Sequence, residues 1–312
     1  MKTALVIGIT GNFGRHVAQA LAQQGWSLRA LLRSPAALPP AFSDAQVFKG
    51  DAADIDSVRT AAQGADLIIY GVNPPYNQWA TTVVPWINNA ATVAEELGLT
   101  LVFPGNVYIF NPADGPEFDE SSRARPVTEK GVLRQAMEER LQRAAQGGAR
   151  VIIVRAGDFI ATGAKNPWLD ALIKRTKHGY ALSAPGERDL IHTWAYLPDL
   201  AQTVAQLVAK RDALPPFSVF HFRGYRLSFD DLADAIRTVT GRTVVLKKFP
   251  WWLMRLAAPF STFVRALFEM RYLWNYELNL SDAKLRTLLQ QPIAHTPVAQ
   301  ALLASGLIDP AR

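Results

Sequence analysis

The chain has 312 residues, a length that suggests one or two domains, and its 49% hydrophobic and 10% aromatic content describes a globular protein and argues against disorder. It has no cysteine, so disulfides, thiol chemistry and thiolate metal sites are excluded; its five histidines include no i,i+4 pair, and no metal site is expected. The net charge of +6 is dispersed rather than blocked, which fits an anionic small molecule and argues against nucleic acid.

The first half alternates short β-branched runs with helical stretches. The apolar start, Thr3–Ile7, runs straight into glycines and Arg15 with no cleavage site, so it reads as a buried strand and not a leader. Ser27–Leu32, Gln46–Lys49, Leu67–Tyr70, Thr100–Phe103 and Val151–Val154 read as further strands. Helical periodicity falls between them, over Phe13–Gln24, Asp54–Gln63, Trp79–Leu97 and Val127–Ala145. Strands alternating with helices predict a Rossmann-type, doubly wound parallel sheet covered on both faces. Beyond it, Leu197–Lys210 reads as a helix capped by Asp199, and Ser228-Phe229-Asp230-Asp231 as a capping box opening a helix that stops at Gly241. Val244–Lys248 reads as a strand and Phe249–Asn275 as a mostly helical apolar stretch. We read residues 1–312 as a single domain, with a smaller substrate lobe contributed from about residue 160 onward.

The stretch from Phe249 to Phe268 is broken by Arg255, Pro259 and Arg265, so it is a poor membrane span. The apolar, basic segment Phe249–Tyr276, which carries Trp251, Trp252 and Trp274, admits three readings: a lid over the substrate, a homodimer contact, or a membrane-surface helix, with lid or core packing preferred. A cytoplasmic location is expected.

Gly8-Ile9-Thr10-Gly11-Asn12-Phe13-Gly14 follows the first strand directly and opens a helix. That is the setting in which a glycine pattern cradles a dinucleotide. Gly8 permits the turn, Gly11 lets the pyrophosphate approach the backbone, and Gly14 lets helix and strand pack. The helix start offers N–H donors to phosphate. The second strand ends in Leu32-Arg33-Ser34, where NAD sites usually carry an acid for the ribose 2′-hydroxyl. Arg33, assisted by Ser34, instead suits a 2′-phosphate, so NADP(H) is expected over NAD(H). Asp51 and Ala52 follow the third strand, to contact the adenine edge or to turn the loop.

These segments, GITGNFG, LLRSP, GDAAD and VYIFN in this order, resemble the extended and atypical short-chain dehydrogenase/reductases, the NAD-dependent epimerase/dehydratase-like family. The resemblance implies an NADP(H)-dependent oxidoreductase or epimerase-like enzyme, acting on a small carbonyl or hydroxyl substrate, anionic in view of the charge. It also implies that Gly71, Val72 and Asn73 line the cofactor. The family's serine or threonine position is held by Pro104, and its Tyr-x-x-x-Lys register by Lys130 and Arg134. Arg134 is expected to hold ribose or substrate oxygen, and Lys130 to act as acid or anion anchor. The alternative is a solvated, charge-rich helix face. Tyr76 and Tyr108 are the phenols that stand in for the missing one. His192 is a weaker candidate, and Arg155 and Asp158 either pair with each other or reach substrate. A non-catalytic NADP(H) sensor that signals through a partner is the alternative function.

Overall fold

The computed structural model describes residues 2–163 and 168–310. Seven parallel strands form the central sheet, and six of them lie where the hydrophobic runs predict: β1 Thr3–Ile7, β2 Ser27–Leu32, β3 Gln46–Lys49, β4 Leu67–Tyr70, β5 Thr100–Gly105 and, after the two-residue β6 Glu117–Phe118, β7 Arg150–Arg155. The chain winds outward from β1 through β2 to β3, then crosses back to β4, β5 and β7. Side chains alternate between faces, as a strand's period of two requires. In β1, Leu5 and Ile7 pack with the helices α2 Ile55–Ala62, α3 Trp79–Leu97 and α4 Glu129–Gln146. Ala4 and Val6 pack on the opposite face with α1 Asn12–Gln23 and α6 Leu197–Ala209. β5 includes Pro104, which lacks a ladder donor. The pairing of β5 with β4 ends at Val102, so Pro104 lies beyond that partner.

The later part interleaves with this core. β8 Asp158–Ile160 and β11 His192–Tyr196 pair in parallel, with β13 Tyr225–Leu227 alongside. β9 Ile173–Thr176 and β10 Gly179–Ala184 pair, and β14 Thr243–Lys248 extends that sheet. With the short α5 Leu169–Leu172, α7 Phe229–Thr240 and α11 Val298–Ala304 they enclose a third apolar core around Trp194 and Trp274. The lobe is therefore not one continuous stretch from residue 160. α6 returns to the sheet face beside α1, β12 Phe217–His221 adds the outermost strand beside β7, and α10 Ala283–Leu289 buries Leu285 and Leu289 against that same face. The strand β12 is missing from the sequence reading, although Ser218 and Phe220 alternate with Phe217 and Val219 as a strand should.

The predicted capping box is present: Asp231 N–H donates to Ser228 Oγ at 3.1 Å, Ser228 N–H donates to Asp231 Oδ2 at 2.8 Å, and Gly241 closes α7 with φ +64°. Asp199 does not cap α6. It sits inside the first turn, buried, and accepts from Thr296 N at 2.6 Å and Thr296 Oγ1 at 2.8 Å. The basic apolar stretch forms α8 Trp251–Ala257 and α9 Thr262–Glu269, and then a short β15 Asn279–Leu280 pairs with β6. No helix among the described residues is long and apolar enough to cross a membrane.

Candidate functional site

The strand order reverses between β1 and β4, which opens a crevice at the carboxyl ends of these strands, where open α/β sheets take ligands. Two loops line it, one after each strand, and glycines join them backbone to backbone. Gly8 has φ +95°, and a Cβ there would lie 2.7 Å from the Gly71 carbonyl carbon. A Cβ on Gly14 would lie 2.3 Å from Gly8 O, and one on Gly71 2.9 Å from Gly14 N. Gly8, Gly14 and Gly71 are thus packing glycines. Gly11 differs: its nearest obstacle is Gly8 O at 3.2 Å, a contact that a few tenths of an ångström of give relieves. Packing alone does not exclude a side chain there.

Gly11 caps α1 without a side chain, and the first turn carries no acid, so nothing there offsets the positive end of the helix. Thr10 is exposed, whereas Phe13 is buried in the core. Two residues assigned no site role in the sequence reading brace this turn. The Arg15 guanidinium donates to the Gly163 carbonyl. His16 sits 2.6 Å from Asn12 O through Nδ1 and 2.9 Å from Thr162 Oγ1 through Nε2, and burial holds it below the usual histidine range. It is a neutral imidazole that pins the loop after β8 across the start of α1.

At the end of β2, Arg33 and Ser34 are exposed, and Arg33 has no ion pair or hydrogen bond among the described residues. Asp51 turns its own loop, accepting from Ala53 N at 2.9 Å, and the buried Ala52 offers its carbonyl to Asn89 Nδ2 at 3.0 Å. Val72 is half-buried and Asn73 exposed along the loop after β4.

The other side of the crevice is built from side chains. Asn106 caps the turn after β5, accepting from Tyr108 N at 3.0 Å, and the Tyr108 hydroxyl meets the Tyr76 hydroxyl at 2.8 Å. α4 crosses this turn closely because Gly131 has no side chain: a Cβ there would lie 2.4 Å from Tyr108 O. The helix thereby turns Lys130 and Arg134 inward, and both are at most 9% exposed, so they do not form a solvated face. Arg134 donates to Pro104 O at 3.1 Å and lies 4.8 Å from the Trp79 ring centroid. Its Nε is buried without a partner, and the side chain has no ion pair among the described residues. Lys130 Nζ lies 5.7 Å from the Tyr76 ring centroid and is ion-paired with Glu269, the last residue of α9. The same carboxylate accepts from Lys130 N at 3.0 Å, at the start of α4. Nothing in the sequence near residue 269 signals this contact, which spans 139 positions.

One turn further along α4, Glu138 pairs with Arg155, whose Nη1 lies 3.1 Å from His221 Nε2. His221 Nδ1 lies 3.2 Å from Phe118 O, and burial together with the Arg155 charge pushes its pKa down to about 3. Asp158 pairs not with Arg155 but with His192, at 2.7 Å from Nε2, and that imidazole stacks on Trp274 at 4.2 Å.

Burial pushes Tyr76 up to about 12, with its bond to Tyr108 and the Arg134 charge pulling the other way. Burial raises Tyr108 further, and the Tyr76 and Asp158 charges add to that. Either hydroxyl can donate the hydrogen bond they share, so one proton of the pair stays free to give. Burial also lowers Arg134. Two cavities, of about 500 and 640 Å³, lie elsewhere. One is at the amino ends of β4, β5 and β7, the other behind β13. Neither holds the phenol pair. The phenol pair is the candidate site, on the same carboxyl edge of the sheet as the strand-order reversal and the glycine cradle.

A parallel sheet wound about a switch point, with a glycine-joined loop at a helix start, defines a dinucleotide-binding protein. The family model described as NAD(P)H-binding matches residues 8–167, and the chain belongs to that family. The whole fold is similar to that of a candidate epimerase from Burkholderia cenocepacia J2315, at 18% identity over 98% of both chains with a TM-score of 0.78. It is also similar to UDP-N-acetylglucosamine 4-epimerase from Bacillus cereus, at 14% identity over 98% of this chain and 95% of that one, TM-score 0.72. The UDP-glucose 4-epimerase of Thermus thermophilus, solved with NAD, matches at 15% identity over 98% of both chains, TM-score 0.71. No curated protein matches the chain in sequence.

Proposed function

We propose that this protein is an NADP(H)-dependent oxidoreductase or epimerase-like enzyme that acts on a small anionic carbonyl or hydroxyl compound, with Tyr76 as its proton donor. The observation that carries this reading is the Tyr76–Tyr108 hydroxyl pair, 2.8 Å apart at the switch-point crevice and beside the buried Arg134. The residues present fit a dinucleotide: Gly11 leaves backbone approachable, the first turn of α1 carries no acid, and Arg33 is free to meet a 2′-phosphate. When bound, the nicotinamide supplies or takes the hydride.

The chain's own residues then divide the remaining work. Tyr76 gives a proton to the developing substrate oxygen, and Tyr108 replenishes the hydrogen bond from behind. Arg134 holds ribose or substrate oxygen and draws negative charge toward the crevice. Lys130, with the first amides of α4, anchors a substrate anion at the place where the Glu269 carboxylate now sits. The fold's likeness to enzymes named for UDP sugars makes nucleotide sugars the first compounds to try.

The test is NADPH oxidation and NADP+ reduction across a panel of nucleotide sugars and small hydroxy- or oxo-acids. Tyr76→Phe should lower kcat by about 10²–10⁴ while leaving the NADPH dissociation constant within about twofold. Full turnover in that variant removes Tyr76 from the chemistry. One observation favours a sensor instead: Glu269 neutralises Lys130 and α9 rests on the Tyr76–Gln78 turn. Tight NADPH binding with no turnover across the panel would establish that reading.

A further inference from the structure

Five of the chain's exposed large hydrophobics fall within twelve residues: Trp252 at 64%, Leu253, Leu256, Phe260 at 91% and Phe263. Single exposed apolar residues are ordinary, but five within twelve residues along one helical pair are not. The inner side of the hairpin is anchored. Trp251 Nε1 donates to Pro185 O at 2.6 Å, Phe268 meets the Trp251 ring edge-on at 5.8 Å, and Ala266 and Met270 are buried. The outer side is therefore held out by a folded base.

Charge selects the occupant. Residues 235–268 contain six basic side chains and no acidic one. Lys247, Lys248, Arg255 and Arg265 are exposed and have no ion-pair partner among the described residues. A second copy of the chain meeting this face isologously would set these cations against their own counterparts, with no carboxylate between them. A bilayer surface carrying acidic headgroups satisfies both features at once. The aromatic and leucine side chains enter the acyl boundary, and the flanking cations meet phosphate. We propose that the α8–α9 hairpin is a peripheral membrane-docking surface for anionic lipid, which would seat the crevice beneath α9 against the bilayer.

The test is flotation of the full-length protein with phosphatidylglycerol-rich vesicles and, in parallel, with pure phosphatidylcholine vesicles. The protein should float with the first and not the second, and raising the salt should release it. Arg255→Gln combined with Arg265→Gln should weaken partitioning by roughly twenty-fivefold, since each surface cation contributes about fivefold. Trp252→Ser combined with Phe260→Ser should abolish it. All four side chains are exposed, so NADPH binding and the circular dichroism spectrum should be unchanged in both variants. Absence of flotation with either lipid overturns the proposal. So does flotation that both variants leave intact, or a concentration-dependent dimer that Phe260→Ser dissociates, which would assign the face to a second copy.

Discussion

The two sides of the crevice are built by opposite means. On the α1 side the work is done by backbone: Gly8, Gly14 and Gly71 touch one another within a few residues of their strand ends, and side chains are excluded. On the α4 side it is done by side chains from distant segments: Tyr76, Tyr108, Arg134, and Lys130 with its partner Glu269. The first construction tolerates almost no substitution, because a backbone contact has no rotamer with which to yield. The second holds charged groups in a buried place by giving them rings and a remote carboxylate. Its geometry therefore depends on how the C-terminal lobe is seated.

The sharpest test of this contrast compares two glycines of one loop. Gly14→Ala puts a Cβ 2.3 Å from Gly8 O and should cost about 3 kcal/mol of stability or more, read as a lowered urea midpoint. Gly11→Val should leave the midpoint nearly unchanged and abolish dinucleotide binding, read by titrating NADPH fluorescence. If Gly14→Ala proves as stable as wild type, the packing account of this loop fails. A smaller effect is expected of Arg33→Ala, which should weaken NADPH by about ten- to a hundredfold and NADH hardly at all. Equal weakening of both would end the case for a 2′-phosphate.

The smallest effect concerns the network under α4. His221 is neutral in the fold, with a pKa of about 3 against an ordinary value of 6.5. On acidification the unfolded chain takes up this proton first, so stability is lost as the pH falls from 6.5 toward 3. The loss from this group should be about 2 kcal/mol between pH 7 and pH 5. Urea midpoints measured at both pH values should differ more in the wild type than in His221→Asn. Equal acid sensitivity in the two proteins would place the acid-labile group elsewhere.

Much of the first side was legible in advance because its causes are local. The strand runs, the Gly8–Gly14 spacing and the Ser228 capping box each express a period or a turn requirement within about a dozen residues. The inward register of Lys130 and Arg134 was legible as one of two alternatives. Only burial, forced by Gly131 against Tyr108, decided between them. Asp199 shows the limit of the local view: it has a cap's neighbours in sequence, yet its partner is Thr296.

The sequence by itself determined the parallel sheet, the glycine cradle and the cationic end of β2, because each follows from short-range periodicity and backbone sterics. The tertiary structure alone decided that Glu269 meets Lys130, that Asp158 takes His192 and leaves Arg155 to Glu138, and that the Trp252–Phe263 face stays uncovered. Such pairings join residues from 17 to 139 positions apart. They are set by which surfaces the packed elements bring together, and a linear pattern does not encode that.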